Sequence, residues 1–335
     1  MSVGRKIIWC ALFLLVCGSG AFAKGVHHYA YFNRERGRIA DPTFLRAEAF
    51  EGAQLKYVWR ELEPAEGRYD FSAIHRDLAF LAKHRKKLFI QLQDVSFDGS
   101  IVNVPRYLVR DARYHGGADR DYVIEGDDEA SARPSGWVAR RWDAAVQERF
   151  HKLLFALGRE FDGRIEGINL PETAVSFGES GRLFPKGFTF ERYRDAVIAN
   201  MKILRRAFPK SVAMQYANFM PGEWLPGKDN SYLRSVYQAA REARVGMGGP
   251  DLLPYKRGQM NHSYALIKEL DGVVPVGIAV QWDNYEYQNP KTGKRITIPE
   301  FIEFATTYLK VDYIFWEFRE PFYSQQLMPL MLEKQ

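Results

Sequence analysis

Cysteine is nearly absent from this chain of 335 residues: there are two, Cys10 and Cys17, and both fall within the first 23 positions. Without that segment no disulfide, thiolate nucleophile or cysteine metal site can exist. Stability then has to come from a packed core, which a chain of about 300 residues can build without staples. No His-Glu-x-x-His helix and no Gly-x-Ser-x-Gly elbow occurs, and no histidines stand at ligand spacing beyond His27-His28. Ser180, in Ser176-Phe177-Gly178-Glu179-Ser180-Gly181, has no strand before it. The glycine-rich run Val245 to Asp251 lacks the Lys-Ser/Thr of a phosphate loop, so close packing inside a sheet is its expected use. These absences predict neither a metal nor a cofactor.

Long apolar runs are missing too. The longest, Ile7 to Cys17, is shorter than the roughly 20 residues that span a bilayer. Arg5 and Lys6 precede it and Ala21-Phe22-Ala23 follows, the layout of a secretory signal over residues 1–23 with cleavage after Ala23. The expectation is an exported protein, periplasmic or secreted, with one domain over 24–335 and no stable membrane anchor once the signal is removed. Of the formal charge of +6, Arg5 and Lys6 contribute two units. The other basic residues alternate with acids, as in Glu191-Arg192-Tyr193-Arg194-Asp195, which reads as solvated helix faces rather than a nucleic-acid stripe. An acidic glycan would profit from the remaining excess.

What is abundant is alternation. Eight strand-like runs, 26–32, 53–59, 87–93, 164–170, 211–218, 245–250, 275–282 and 312–318, are separated by helix-like ones at 44–51, 72–85, 142–161, 190–208, 231–241, 263–270 and 299–309. Strand and helix in turn predict a parallel sheet. Eight such units predict an α/β fold, a single (β/α)8 TIM barrel, with a doubly wound open sheet as the alternative. The connection from Asp94 to Arg141 is long and carries Tyr107, Tyr114, Tyr122 and Trp137, so an ordered lid or binding rim is expected there.

Barrels keep their chemistry at the C-terminal strand ends. Strand-borne groups suited to sugar hydroxyls are His27, Tyr29, Gln91, Gln93, Asn218, Asp251 and Gln281, with Trp59, Trp282, Trp316, Tyr216 and Tyr255 as candidate stacking surfaces. The fourth run ends Asn169-Leu170-Pro171-Glu172, which puts Glu172 on the rim.

The stretch Trp59 to Phe71, with its Glu63-Pro64 and its Gly67-Arg68-Tyr69-Asp70-Phe71 entry to a helix, resembles the second βα unit of barrel glycoside hydrolases. Together with Asn169–Glu172 and Trp316 it makes the chain similar to the large retaining clan of those enzymes. Among them it is closest to exported bacterial glycoside-hydrolase-like proteins of unnamed activity. The resemblance implies a carbohydrate partner, Glu172 as general acid/base, and Trp316 as the floor of the sugar site with Glu317 turned outward. It also implies a nucleophilic Glu at the end of the seventh strand, where this chain has Gln281. Asp283 or Glu317 then remain as candidates for the second catalytic carboxylate; a water-activating base would stand roughly 6.5–9.5 Å from the acid, against about 5 Å for a nucleophile. The competing expectation is a non-catalytic glycan-binding barrel with a degenerate site.

Overall fold

In the computed structural model, which describes residues 25–126 and 128–333, eight parallel strands close into a barrel. The proposed signal and both cysteines lie outside the described residues. In chain order the strands are His27–Asn33, Phe50–Val58, Lys87–Gln93, Gly167–Leu170, Val212–Tyr216, Gly246–Gly249, Val276–Val280 and Tyr313–Glu317. Around the barrel they follow the order one, eight, seven, six, five, four, three, two, each beside its sequence neighbours. The (β/α)8 expectation holds, and each expected strand is present.

Helices pack on the outside with apolar faces inward. Asp143 opens Ala144–Phe161 by accepting hydrogen bonds from the amides of Ala145 and Val146, and the Thr189 side chain accepts from Arg192 N at the start of Phe190–Ala207. Thr297 and Glu300 form a reciprocal capping box at Ile298–Glu303. One expected helix fails. Residues 44–51 form a single helical turn, Pro42–Arg46, and Phe50 already begins the second strand. Phe44, Ala47 and Phe50 are all fully buried, and their three-residue spacing imitates a helix face although a turn and a strand carry them.

The lower half of the barrel interior is filled by Tyr29, Phe89, Met214, Tyr313 and Phe315. Glycines at facing positions make room for them. A Cβ on Gly167 would sit 2.6 Å from the Phe89 ring, and one on Gly248 would sit 2.0 Å from the carbonyl oxygen of Gly277. The glycine-rich sixth strand therefore serves close packing.

The excursion after the third strand carries secondary structure of its own. Val95–Ser96, Arg133–Ala139 and Ala118–Val123 form a small antiparallel sheet in that spatial order, and the chain then returns to the barrel through Arg141. Among the described residues no helix is long and apolar enough to cross a membrane.

Candidate active site

Strand alternation decides which side chains enter the barrel. On the second strand Gln54 faces inward, donating to Asn169 Oδ1 at 3.0 Å and to the Tyr216 hydroxyl at 3.1 Å. Lys56 shares that face, nearer the C-terminal mouth. On the third strand the inward face carries Phe89, Gln91 and Gln93, and Gln91 accepts a hydrogen bond from the Tyr31 hydroxyl at 2.9 Å. On the eighth it carries Tyr313, Phe315 and then Glu317.

Glu172 sits just past the fourth strand, partly buried. Asn218 Nδ2 donates to Glu172 Oε2 at 2.6 Å. The backbone is held as well: Arg141 Nη1 donates to the Glu172 carbonyl at 3.0 Å and to the Tyr193 hydroxyl at 2.7 Å, and that hydroxyl donates to the Thr173 carbonyl at 2.9 Å. Arg141 is itself fixed by a buried bidentate pair with Asp94, at 2.9 and 2.6 Å. Burial pushes the Glu172 carboxyl up to about 7; the Asn218 bond opposes this, the Asp251 charge adds to it, Arg141 opposes it and Asp121 adds to it. A carboxyl so placed holds a proton near neutrality and can give it to a leaving oxygen.

Further carboxylates follow around the rim. Asp251, after the sixth strand, accepts from Asn284 Nδ2 at 3.1 Å, and burial raises it, with the Asp283 charge adding to the rise. Asp283 is exposed on the turn after the seventh strand. Glu317 accepts from Trp282 N at 2.6 Å and from Asn33 Nδ2 at 3.3 Å; burial raises it, and Asp283 again adds. Glu172 thus feels the charge of Asp251, and Asp251 and Glu317 feel that of Asp283, which sets the four carboxylates in an arc. Gln281 follows the seventh strand and caps the next turn, so an amide stands where the resemblance implies a nucleophilic Glu. Facing the arc is Lys56, whose ammonium burial and Arg34 push down to about 8 while Glu317 and Glu172 pull it back up. Among the described residues no group of three or more His, Cys, Asp and Glu could hold a metal ion.

No family model and no curated protein matches the sequence. Solved structures do. The catalytic domain of the β-amylase from Paenibacillus polymyxa superposes with a TM-score of 0.54 at 8% identity, over 88% of this chain and 93% of that one. Xylanase 10B from Thermotoga petrophila RKU-1, in complex with xylobiose, gives 0.50 at 10% identity over 88% and 83%. The β-galactosidase from Bacillus circulans sp. alkalophilus gives 0.54 at 11% identity, over 87% of this chain and 50% of the other. The chain shares the (β/α)8 fold of these enzymes. At such identities the likeness concerns the fold, and the chemistry has to be argued from the side chains.

Several of the expected sugar contacts stand elsewhere in this barrel. His27 starts the first strand, at the end away from the mouth, where it bonds Glu51 and stacks on Tyr313. Tyr29 is fully buried in the aromatic floor. Trp59 leaves the second strand on its outer side, packs on Phe150 and donates to Glu63 at 2.8 Å. Trp316 also points outward, donating to His28 Nδ1 at 3.0 Å, and the outward turn expected of Glu317 is reversed. Regular alternation without a bulge permits one of Trp316 and Glu317 inside, and it is Glu317. Tyr216 lies deep, bonded to Gln54, and the Tyr255 ring carries Lys291 above it at 4.1 Å.

Glu172, Gln93, Asn218, Asp251, Gln281, Trp282, Asp283 and Glu317 do converge on the C-terminal face. Gln93 Oε1 and Asn218 Oδ1 are shielded from solvent there with no partner. Sequence reading missed Lys56, Arg141, Asp121 and Trp224. Polar residues two apart in Gln54-Leu55-Lys56 signal an inner face near a mouth, a cue for Lys56. For Trp224 there was none: it is 60% exposed, stacked on Phe219, and borders a cleft of about 340 Å³ between the loops after the fourth and fifth strands and the excursion.

Proposed function

We propose that the protein hydrolyses glycosidic bonds of an oligo- or polysaccharide, with Glu172 as general acid. The observation that carries this is the Glu172 carboxyl: at the fourth strand end, braced by Asn218 and Arg141, and raised to about 7 by burial. In the reaction its proton passes to the glycosidic oxygen as the bond from that oxygen to the anomeric carbon breaks. Gln281 cannot act as nucleophile. Glu317 has both oxygens engaged. Asp283, exposed beside Asp251, is the better candidate to take a proton from an attacking water. With Asp283 in that role the reaction would be a single displacement with inversion.

The test is turnover of a panel of polysaccharides and aryl glycosides by wild type and Glu172→Gln. Loss of a general acid should lower kcat by about 10²- to 10⁴-fold while binding persists. With Glu172 as the acid, kcat/KM should fall as pH rises through about 7. Proton NMR of the first product should show the inverted anomer. Gln281 favours a second reading, a glycan-binding barrel without catalysis, and binding by wild type with no turnover on any panel member would establish it.

A further inference from the structure

Cations gather on one side of the mouth. Arg34 follows the first strand, Lys56 lies toward the end of the second and Arg319 follows the eighth, and these three strands are adjacent in the barrel. The Lys56 ammonium lies 5.9 Å from the centre of the Tyr31 ring. Arg34 Nη2 donates to the neutral Asn103 Oδ1 at 3.1 Å. The Arg319 guanidinium lies 3.5 Å from the centre of the Trp282 ring, and its Nε–H is shielded from water with no acceptor. Among the described residues none of the three has a carboxylate oxygen within 4.0 Å.

That arrangement is costly in the free protein. Arg34 is near enough to Lys56 for the two positive charges to oppose each other, and a buried donor without an acceptor loses its hydration for nothing. Carboxylates stand within electrostatic reach, Glu317 and Glu172 of Lys56 and Asp98 of Arg34, but Glu317 already accepts from Trp282 N and Asn33, and Glu172 accepts from Asn218. An incoming anion would relieve the repulsion and supply the missing acceptor. Farther into the mouth Gln93 and Asn218, 7% and 4% exposed, present carbonyl oxygens without donors. Hydroxyl donors and one anionic substituent on one glycan would satisfy both sets.

We propose that the glycan taken by this barrel is acidic, and that Arg34, Lys56 and Arg319 receive the carboxylate or sulfate group of its sugar. This rests on the reading that the mouth takes a glycan, but not on catalysis. The residual positive charge of the chain acts in the same direction.

Binding is measured on the Glu172→Gln protein by affinity gel electrophoresis in polygalacturonate, alginate, carrageenan, arabinoxylan and glucomannan. Retardation is expected with an acidic polymer and not with the neutral ones, and adding Lys56→Met should raise Kd at least tenfold. Lys202→Met, an exposed cation on the helix Phe190–Ala207, should leave it unchanged. Arg34→Gln on the rim gives the same readout should Lys56→Met fail to fold, which a thermal melt reveals. Response to carrageenan alone assigns a sulfate ester as the anion; response to polygalacturonate or alginate assigns a carboxylate. No acidic polymer bound, neutral polymers bound equally well, or equal effects of Lys56→Met and Lys202→Met overturns the proposal. Acidic glycan bound by wild type but never cleaved would sink the hydrolase reading and leave this one standing. Neutral glycan cleaved with no acidic polymer bound would do the reverse.

Discussion

Glu172 couples stability to pH. Its carboxyl binds a proton more tightly in the fold, at about 7, than in the unfolded chain near 4.5. Folding therefore gains from protonation: the contribution is complete below pH 4.5 and disappears as pH rises through about 7. Glu172→Gln removes this dependence. Urea unfolding of wild type and variant should show the variant gaining on the order of 1–3 kcal/mol relative to wild type between pH 4.5 and 8. A constant difference across that range would mean that Glu172 has no raised pKa. The residue was legible in sequence because position alone, past the fourth strand, selects it. Its braces were not. Arg141 lies 31 residues upstream, at the end of the excursion and separated from Glu172 by a helix and the fourth strand, and nothing local says that a guanidinium will reach the Glu172 carbonyl.

At the scale of elements, the strand count and most helix limits could be read from periodicity and caps, since both are local. Side-chain direction at strand ends could not be inferred by analogy. Resemblance turns Trp316 inward, whereas the register of the eighth strand against the first and seventh puts Tyr313, Phe315 and Glu317 on the inner face. The glycines of the sixth strand were read correctly as packing residues, and they allow a sharp test. Gly248→Ala places a methyl group 2.0 Å from the Gly277 carbonyl oxygen, which neither backbone can accommodate without separating. The variant should lose at least ~1–3 kcal/mol, seen as a lower urea midpoint. Unchanged stability would show that these two strands lie farther apart.

For the whole molecule, the lack of cysteine after residue 23 leaves no disulfide framework over 24–335, and the alternation of elements led to the barrel. The export expectation belongs at this scale, because it concerns the chain before folding. We propose processing after Ala23, so intact mass of the protein recovered outside the cytoplasm should begin at Lys24; recovery of uncleaved protein would count against it. The barrel's lower half, stoppered by Tyr29, Phe89, Met214, Tyr313 and Phe315, has a kinetic consequence. A tube closed at one end has a single door. If the hydrolase reading holds, both fragments of a cut chain retreat through the opening by which the chain arrived, and the fragment left on the cationic side blocks the next arrival until it leaves. Arrival and departure would then share one path, and the acidic product would compete with its own substrate.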